Sequence, residues 1–421
     1  MASSTPETVA PQSHGLDIER IRNAFPTLSR MIGDEPLVYL DSGASAQRVL
    51  ASIEAVDRYE RRHHANVHRG SHTLSGEATD AYEGARATVA DHLGARDRRE
   101  IVFVRNATEA INLVARAWGG ANVGAGDRIV LTEMEHHSNI VPWQQLAAAS
   151  GAAIDWVGVD DRGELIREEL EAALAREPKL VAVTHISNVL GTLNPIAEIA
   201  SMAHDVGALI LVDGAQAMPK TAIDVAELGV DFYAVTGHKA YGPTGIGVLH
   251  GRRSILEAMP PFLGGGHMIA RVGDFESTWA EPPTRFEAGT MPIAEAIGLG
   301  EAVEWLASIG MEHVREHGRD VTAYALERLG EVPGLSIHGP AEADGRGSLI
   351  SFALDAAHPH DVAEILGREG VCVRAGHHCA QPLMRRLGVP ASTRASFAVH
   401  ATRDDVDRLI DALGTVQEIF A

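Results

Sequence analysis

Lysine is nearly missing from this chain. Among 36 basic residues in 421 positions only three are lysine, Lys179, Lys220 and Lys239, so arginine carries almost all the positive charge. Cysteine is just as scarce. Cys372 and Cys379 are too few for a disulfide framework and are not spaced as C-x-x-C, which points to a reducing, cytoplasmic setting. No run of 18 apolar residues occurs, so no membrane-spanning helix is expected. Residues 1–15 have neither a basic start nor an apolar stretch and read as an arm rather than a signal peptide. Positive charge is outweighed: 57 acidic residues give a net charge of −21, which argues against nucleic acid or an anionic membrane as partner. There is no G-x-x-x-x-G-K-S/T, so an ordinary P-loop is excluded.

What is present is a rhythm. Short apolar runs at 101–104, 128–132, 180–184, 208–212 and 232–235 read as buried strands, with helical spacing between them, for example at 165–175 and 196–206. This alternation predicts an α/β fold: an open, mainly parallel sheet flanked by helices. Ligands in such folds sit beyond the carboxyl ends of the strands. Those ends carry Thr108, His136, Asn188, Asp213, Gln216, His238 and Lys239. After a long helical stretch at 294–317, a second α/β unit is expected. It has strands at 349–352, 371–374 and 393–397, and helices at 361–367 and 404–413. The reading divides the chain into an arm and helix at 1–35 packing with the smaller unit, a large domain at 36–300 and a small domain at 301–421.

Individual positions leave alternatives open. Lys239, just past a buried strand among glycines, is either an exposed loop lysine or a desolvated amine able to act as nucleophile and base. Asp213 is either a helix N-cap or a carboxylate for a protonated ring nitrogen. The turn before Thr108 resembles a helix N-terminus that accepts a phosphate. Four histidines fall within 63–72, but Asn66 and Gly70 weaken a helix there and no carboxylate is in register, so no metal site is expected. Cys372, in an apolar strand, reads as inert core. Cys379 follows Gly376-His377-His378 in a loop where a thiolate is favoured. The glycine-rich section 260–283 reads as surface loop.

Taken together, T-E-A-I-N-L-V-A, E-M-E-H-H-S-N-I-V-P-W, H-I-S-N-V-L-G-T, V-D-G-A-Q-A, T-G-H-K-A-Y-G-P-T-G-I-G, R-F-E-A-G-T and V-R-A-G-H-H-C-A resemble the SufS-type (group II) cysteine desulfurases. These are class V aminotransferase-like, fold-type I pyridoxal phosphate enzymes. The resemblance implies a seven-stranded-type sheet, pyridoxal 5'-phosphate as cofactor and a homodimer. It implies that Lys239 is the Schiff-base lysine, that Asp213 pairs with the ring nitrogen and Gln216 with the ring hydroxyl, and that His136 stacks on the ring and moves a proton. Thr108, Thr236 and His238 would bind phosphate, with Thr290 reaching the phosphate of a partner subunit. Asn188 would contact cofactor or substrate, and Arg394, Arg374 and His68 the substrate. Cys379 would take sulfur from L-cysteine as a persulfide, leaving L-alanine. The sulfur would pass to an acceptor of the SufE or SufU type for iron–sulfur cluster assembly. A selenocysteine lyase, an aminotransferase or epimerase, and a non-enzymatic scaffold are the competing readings. Ala107, Ala110, Gly43, His267 and Met291-Pro292 depart from the family pattern without removing a catalytic group.

Overall fold

A computed structural model describes residues 16–421; the arm expected at 1–15 lies outside the described residues. Seven strands form the large sheet: β1 (Ile101–Val104), β2 (Arg128–Thr132), β3 (Ala153–Val157), β4 (Leu180–Thr184), β5 (Leu209–Asp213), β6 (Phe232–Thr236) and β7 (Gly247–Gly251). Their order is β1-β7-β6-β5-β4-β2-β3. Strands β6, β5, β4, β2 and β3 run parallel, and β7 lies antiparallel to both β6 and β1. Two apolar clusters cover the two faces, one including Tyr82, Val130, Val183 and Leu299, the other Ile111, Trp143, Leu131 and Phe232.

Two of these strands are hidden in the sequence. β7 begins at a glycine inside the stretch that reads as a turn after Lys239. Gly247 pairs with Thr236 on one side and Val104 on the other, and a Cβ there would lie 2.6 Å from the Asn106 Cα. β3 carries Asp155 in its middle, which breaks the apolar run. Asp155 is held by Arg128 (2.6 Å) and Arg176 (2.8 Å).

β1 is an edge strand, yet all four residues are buried. Its open edge is closed by side chains, as an exposed edge requires. The Ile101 carbonyl accepts from Arg86 Nη1 (2.8 Å) and the Phe103 N–H donates to Glu287 Oε1 (2.8 Å). Arg86 and Glu287, each 1% exposed, pair through both guanidinium nitrogens (2.6 and 2.9 Å), and the Tyr82 hydroxyl donates to Glu287 Oε2 (3.1 Å). The glutamate of R-F-E-A-G-T therefore ties the Thr73–His92 helix to the sheet edge.

The C-terminal sheet has the order β8-β9-β11-β10, with β8 Leu335–His338, β9 Leu349–Leu354, β10 Arg374–Gly376 and β11 Ser392–Ser396. Four expectations need correction. The helix expected at 294–317 is two helices, Ile293–Ile309 and Met311–Gly330, because Gly310 adopts φ +89° between them. The strand expected at 371–374 splits: Val371–Cys372 pairs parallel with Val38–Tyr39, whereas β10 pairs with β11. So the chain joins its C-terminal part before it builds the large sheet. Cys372 is only half-buried, and burial, then Asp41, pushes its thiol pKa up. The histidines of 63–72 also find carboxylates: His63 meets Glu77 (2.8 Å), His64 meets Glu60 (3.4 Å) and His68 meets Glu83 (2.9 Å). Three separate partners pull the rings apart rather than gathering them.

Glu287→Gln should destabilise the protein by about 3 kcal/mol, because it removes the fully buried partner of Arg86 and leaves that charge only the part-exposed Glu83 (3.1 Å). A denaturant midpoint indistinguishable from that of the unchanged protein would contradict the edge-closing role.

Candidate active site

One cleft opens at the carboxyl ends of the parallel strands. Thr108, His136, Asn188, Asp213, Gln216, Thr236, His238, Lys239, Arg374, Cys379 and Arg394, all singled out in the sequence, line it. Lys239 ends the turn Gly237–Lys239 that follows β6. Asp213 is the last residue of β5, next to β6 in parallel register. Desolvation lowers the Lys239 pKa to about 8, while Asp213 opposes the shift and Arg394 adds to it. Burial raises the Asp213 pKa. One Asp213 oxygen accepts from the Ala215 N–H (3.0 Å); the other has no hydrogen-bond donor among the described residues. The Thr236 hydroxyl is buried without a hydrogen-bond partner among the described residues.

Opposite Lys239 stands a hydroxyl–imidazole chain. Thr108 Oγ1 lies 2.7 Å from Ser138 Oγ, which lies 2.9 Å from His136 Nδ1. Thr108 is the second residue of the helix Ala107–Leu113, so its N–H is among the free donors of that helix start. Burial, then the Lys239 charge, lowers the His136 pKa to about 3, so the ring is neutral near pH 7. The same causes lower that of His238 to about 4.

The far wall comes from the C-terminal sheet. Arg394, on β11, is 2% exposed; Nη1 donates to the Asn188 carbonyl (2.9 Å), Nη2 to Asp41 Oδ1 (3.3 Å), and Nε has no partner among the described residues. Gly43 passes close by: a Cβ there would lie 3.2 Å from the Arg394 Cζ. Arg374 is half-exposed, 3.9 Å from Asp41 Oδ2. Cys379 is exposed at the lip, near enough for its charge to act on Lys239. The Asn188 side chain is already engaged, with Nδ2 donating to the His378 carbonyl (2.7 Å).

Two expected site residues lie elsewhere. Thr290 and His68 line a second pocket with Tyr82 and His267, where the His68 and His267 rings stack at 5.0 Å. His68 has left-handed backbone and is tied to Glu83, which keeps it out of the central cleft of its own chain.

Sequence reasoning missed Asp41, Ser138 and Lys220. Lys220 is 5% exposed, and its Nζ donates to Gln216 Oε1 (3.1 Å) and the Gly347 carbonyl (3.0 Å). Gln216 in turn donates to the Gly43 carbonyl (2.7 Å), so Lys220 sets which way that amide faces. Its rarity was the available signal: a lysine in a chain with three of them, four residues after Gln216.

The model of the aminotransferase class-V family matches residues 38–409. The probable cysteine desulfurase of Halalkalibacterium halodurans is 49% identical over 405 residues, covering 96% of this chain and 99% of that protein. The cysteine desulfurase of Haloferax volcanii is 47% identical over 423 residues, 97% and 99% of the two chains. Among solved structures, the cysteine desulfurase CsdA of Escherichia coli superposes with a TM-score of 0.88 at 36% identity, covering 96% of this chain and 100% of that one. The apo cysteine desulfurase of Thermococcus onnurineus gives 0.90 at 37%, covering 96% and 98%.

Two measurements check the electrostatics. Capture of pyridoxal phosphate by Lys239 in cofactor-free protein should accelerate with rising pH and level off above about 8, since the free amine reacts and burial lowers its pKa. An unperturbed lysine would keep accelerating to about 10; borohydride trapping against a Lys239→Ala control distinguishes the two. Lys220→Met should cost about 1–3 kcal/mol of stability, because two buried oxygens lose their donor. An unchanged unfolding midpoint would show that those bonds contribute nothing.

Proposed function

The chain belongs to the aminotransferase class-V family, and from that premise we propose that it is a cysteine desulfurase of the SufS type using pyridoxal 5'-phosphate. The observation that carries this reading is the pairing of an exposed thiol, Cys379, with a desolvated amine, Lys239, across one cleft. An aminotransferase or epimerase has no use for a thiol at that lip.

The cleft fits the cofactor. The unpartnered Thr236 hydroxyl, the free N–H groups around Thr108 and the His238 ring suit a phosphate, and the unoccupied Asp213 oxygen suits a protonated ring nitrogen. Pyridoxal phosphate held there supplies a carbonyl that joins an amine and a ring that takes up the electron pair left when a Cα proton departs.

The protein's own groups do the rest. Arg394 offers its unpartnered Nε edge to the substrate carboxylate, with Arg374 beside it. Lys239 anchors the cofactor and carries the Cα proton; with a pKa lowered to about 8 it can both take and return a proton. His136 is neutral, so it takes up a proton before it gives one. The Cys379 thiolate attacks the substrate sulfur: a sulfur–sulfur bond forms, the carbon–sulfur bond breaks, and its electron pair becomes the C–H bond of alanine once protonated. L-cysteine and the Cys379 thiol thus become L-alanine and a Cys379 persulfide, with no outside oxidant.

The persulfide then passes to an acceptor of the SufE or SufU type for iron–sulfur cluster assembly. The active unit is a homodimer in which Thr290 and His68 serve the cleft of a second copy; their position in a pocket apart from their own cleft supports this. The division near residue 300 places Cys379 and Arg394 on the smaller unit. Two free cysteines fit a cytoplasmic setting, and among the described residues no helix is long and apolar enough to cross a membrane.

In a single turnover with L-cysteine and no reductant, each chain should yield one alanine and one extra sulfur on the Cys379 peptide. Cys379→Ala should retain bound cofactor yet lose alanine formation by at least about a hundredfold. Undiminished sulfur transfer by that variant would overturn the reading, as would keto-acid formation by the unchanged protein.

A further inference from the structure

The segment that presents Cys379 is held in a conformation it would not choose. His378 and Cys379 both have left-handed backbone, at φ +51° and +55°, which disfavours residues with a Cβ. The helix Gln381–Leu387 starts two residues after the thiol. Its first N–H groups have no acceptor within the helix. The preceding Ala380 has no side chain that could cap them. The missing acceptor comes from a distant part of the chain: the Gln381 N–H donates to His137 Nε2 at 3.0 Å. The backbone of the same residue is also engaged, since the His137 N–H donates to the Cys379 carbonyl at 2.7 Å. One residue therefore grips the chain at the Cys379 carbonyl and again at the N–H two residues on. On the preceding residue, Asn188 Nδ2 holds the His378 carbonyl and the His378 ring meets Ser392.

We propose that His137 is a positioning residue for the nucleophile: its ring caps the helix after Cys379 from outside and so holds the thiol over the cleft. The proposal rests on the desulfurase reading of Cys379. It also gives the pair His136-His137 divided duties, the first ring facing the cleft and the second facing the loop. The segment carrying both is itself fixed, because Asn139 donates to Glu135 (2.7 Å) and accepts from Trp143 (2.9 Å). Acting as acceptor requires an unprotonated Nε2, and burial, then His377, lowers the His137 pKa in that direction.

The test uses cofactor-loaded protein and three variants: His137→Ala, His137→Gln and His137→Asn. The glutamine carbonyl reaches about as far as Nε2; the asparagine carbonyl stops short. Hydrogen exchange in the segment from Ala380 to Leu387 is followed without substrate, and persulfide formation on Cys379 is followed in a single turnover. His137→Ala should speed exchange there and slow persulfide formation, each by about tenfold, the size of a lost cap. The cofactor absorbance and its response to L-cysteine should be unchanged. His137→Gln should restore both quantities and His137→Asn neither. Unchanged exchange in His137→Ala, or equal behaviour of the Gln and Asn variants, would overturn the proposal. If His137→Ala does not fold, the contrast between Gln and Asn decides alone. Should the unchanged protein make no alanine while His137→Ala still loosens the segment, the desulfurase reading falls and the cap stands.

Discussion

A partly desolvated amine near a buried carboxylate is the constraint on which the rest of this structure depends. Lys239 and Asp213 sit at the ends of neighbouring parallel strands, so their spacing is set by the sheet and not by a flexible loop. Desolvation works on both, lowering one pKa and raising the other, while their mutual attraction limits each shift. A sheet rigid enough to hold that pair needs closed edges. The buried Arg86–Glu287 pair closes one of them by meeting the free backbone groups of β1. The antiparallel β7 beside it lets the chain turn back directly after Lys239.

The second constraint is that the cleft is lined from two different sheets. Cys379 and Arg394 reach the cleft from the C-terminal sheet, and nothing in the large sheet binds them covalently. Hydrogen bonds do the work: Arg394 to the Asn188 carbonyl, Asn188 to the His378 carbonyl, His137 to Cys379 and Gln381. Side chains that look like substrate or cofactor contacts thus also serve as struts between the two parts. Arg394 still has a free edge for an anion, and the buried Lys220 sets Gln216 by the same logic of neighbour holding neighbour.

Much of this was legible in the chain. Buried parallel strands must be apolar on both faces, so five of the seven large-sheet strands stand out as runs, and the polar residues just past them mark the cleft. Strands that break the pattern were not legible. β3 carries Asp155, acceptable only because two arginines meet it, and β7 starts at a glycine required by the close approach of Asn106. The helical period at 294–317 runs straight through Gly310, where the backbone turns instead. No carboxylate was visible in register with the histidine run at 63–72, yet three of its four rings each meet a carboxylate of their own.

By itself the sequence determined the fold class, the strand-end residues and the thiol, because short-range patterning and residue chemistry suffice for those. Only the tertiary structure decided which of them share a cleft. It put Thr290 and His68 in another pocket, neutralised His136 by burying it near Lys239, and brought His137 against a helix start 244 positions away. Burial, and the acceptor a distant N–H finds, depend on how elements pack. Packing joins residues whose separation along the chain carries no information about their separation in space.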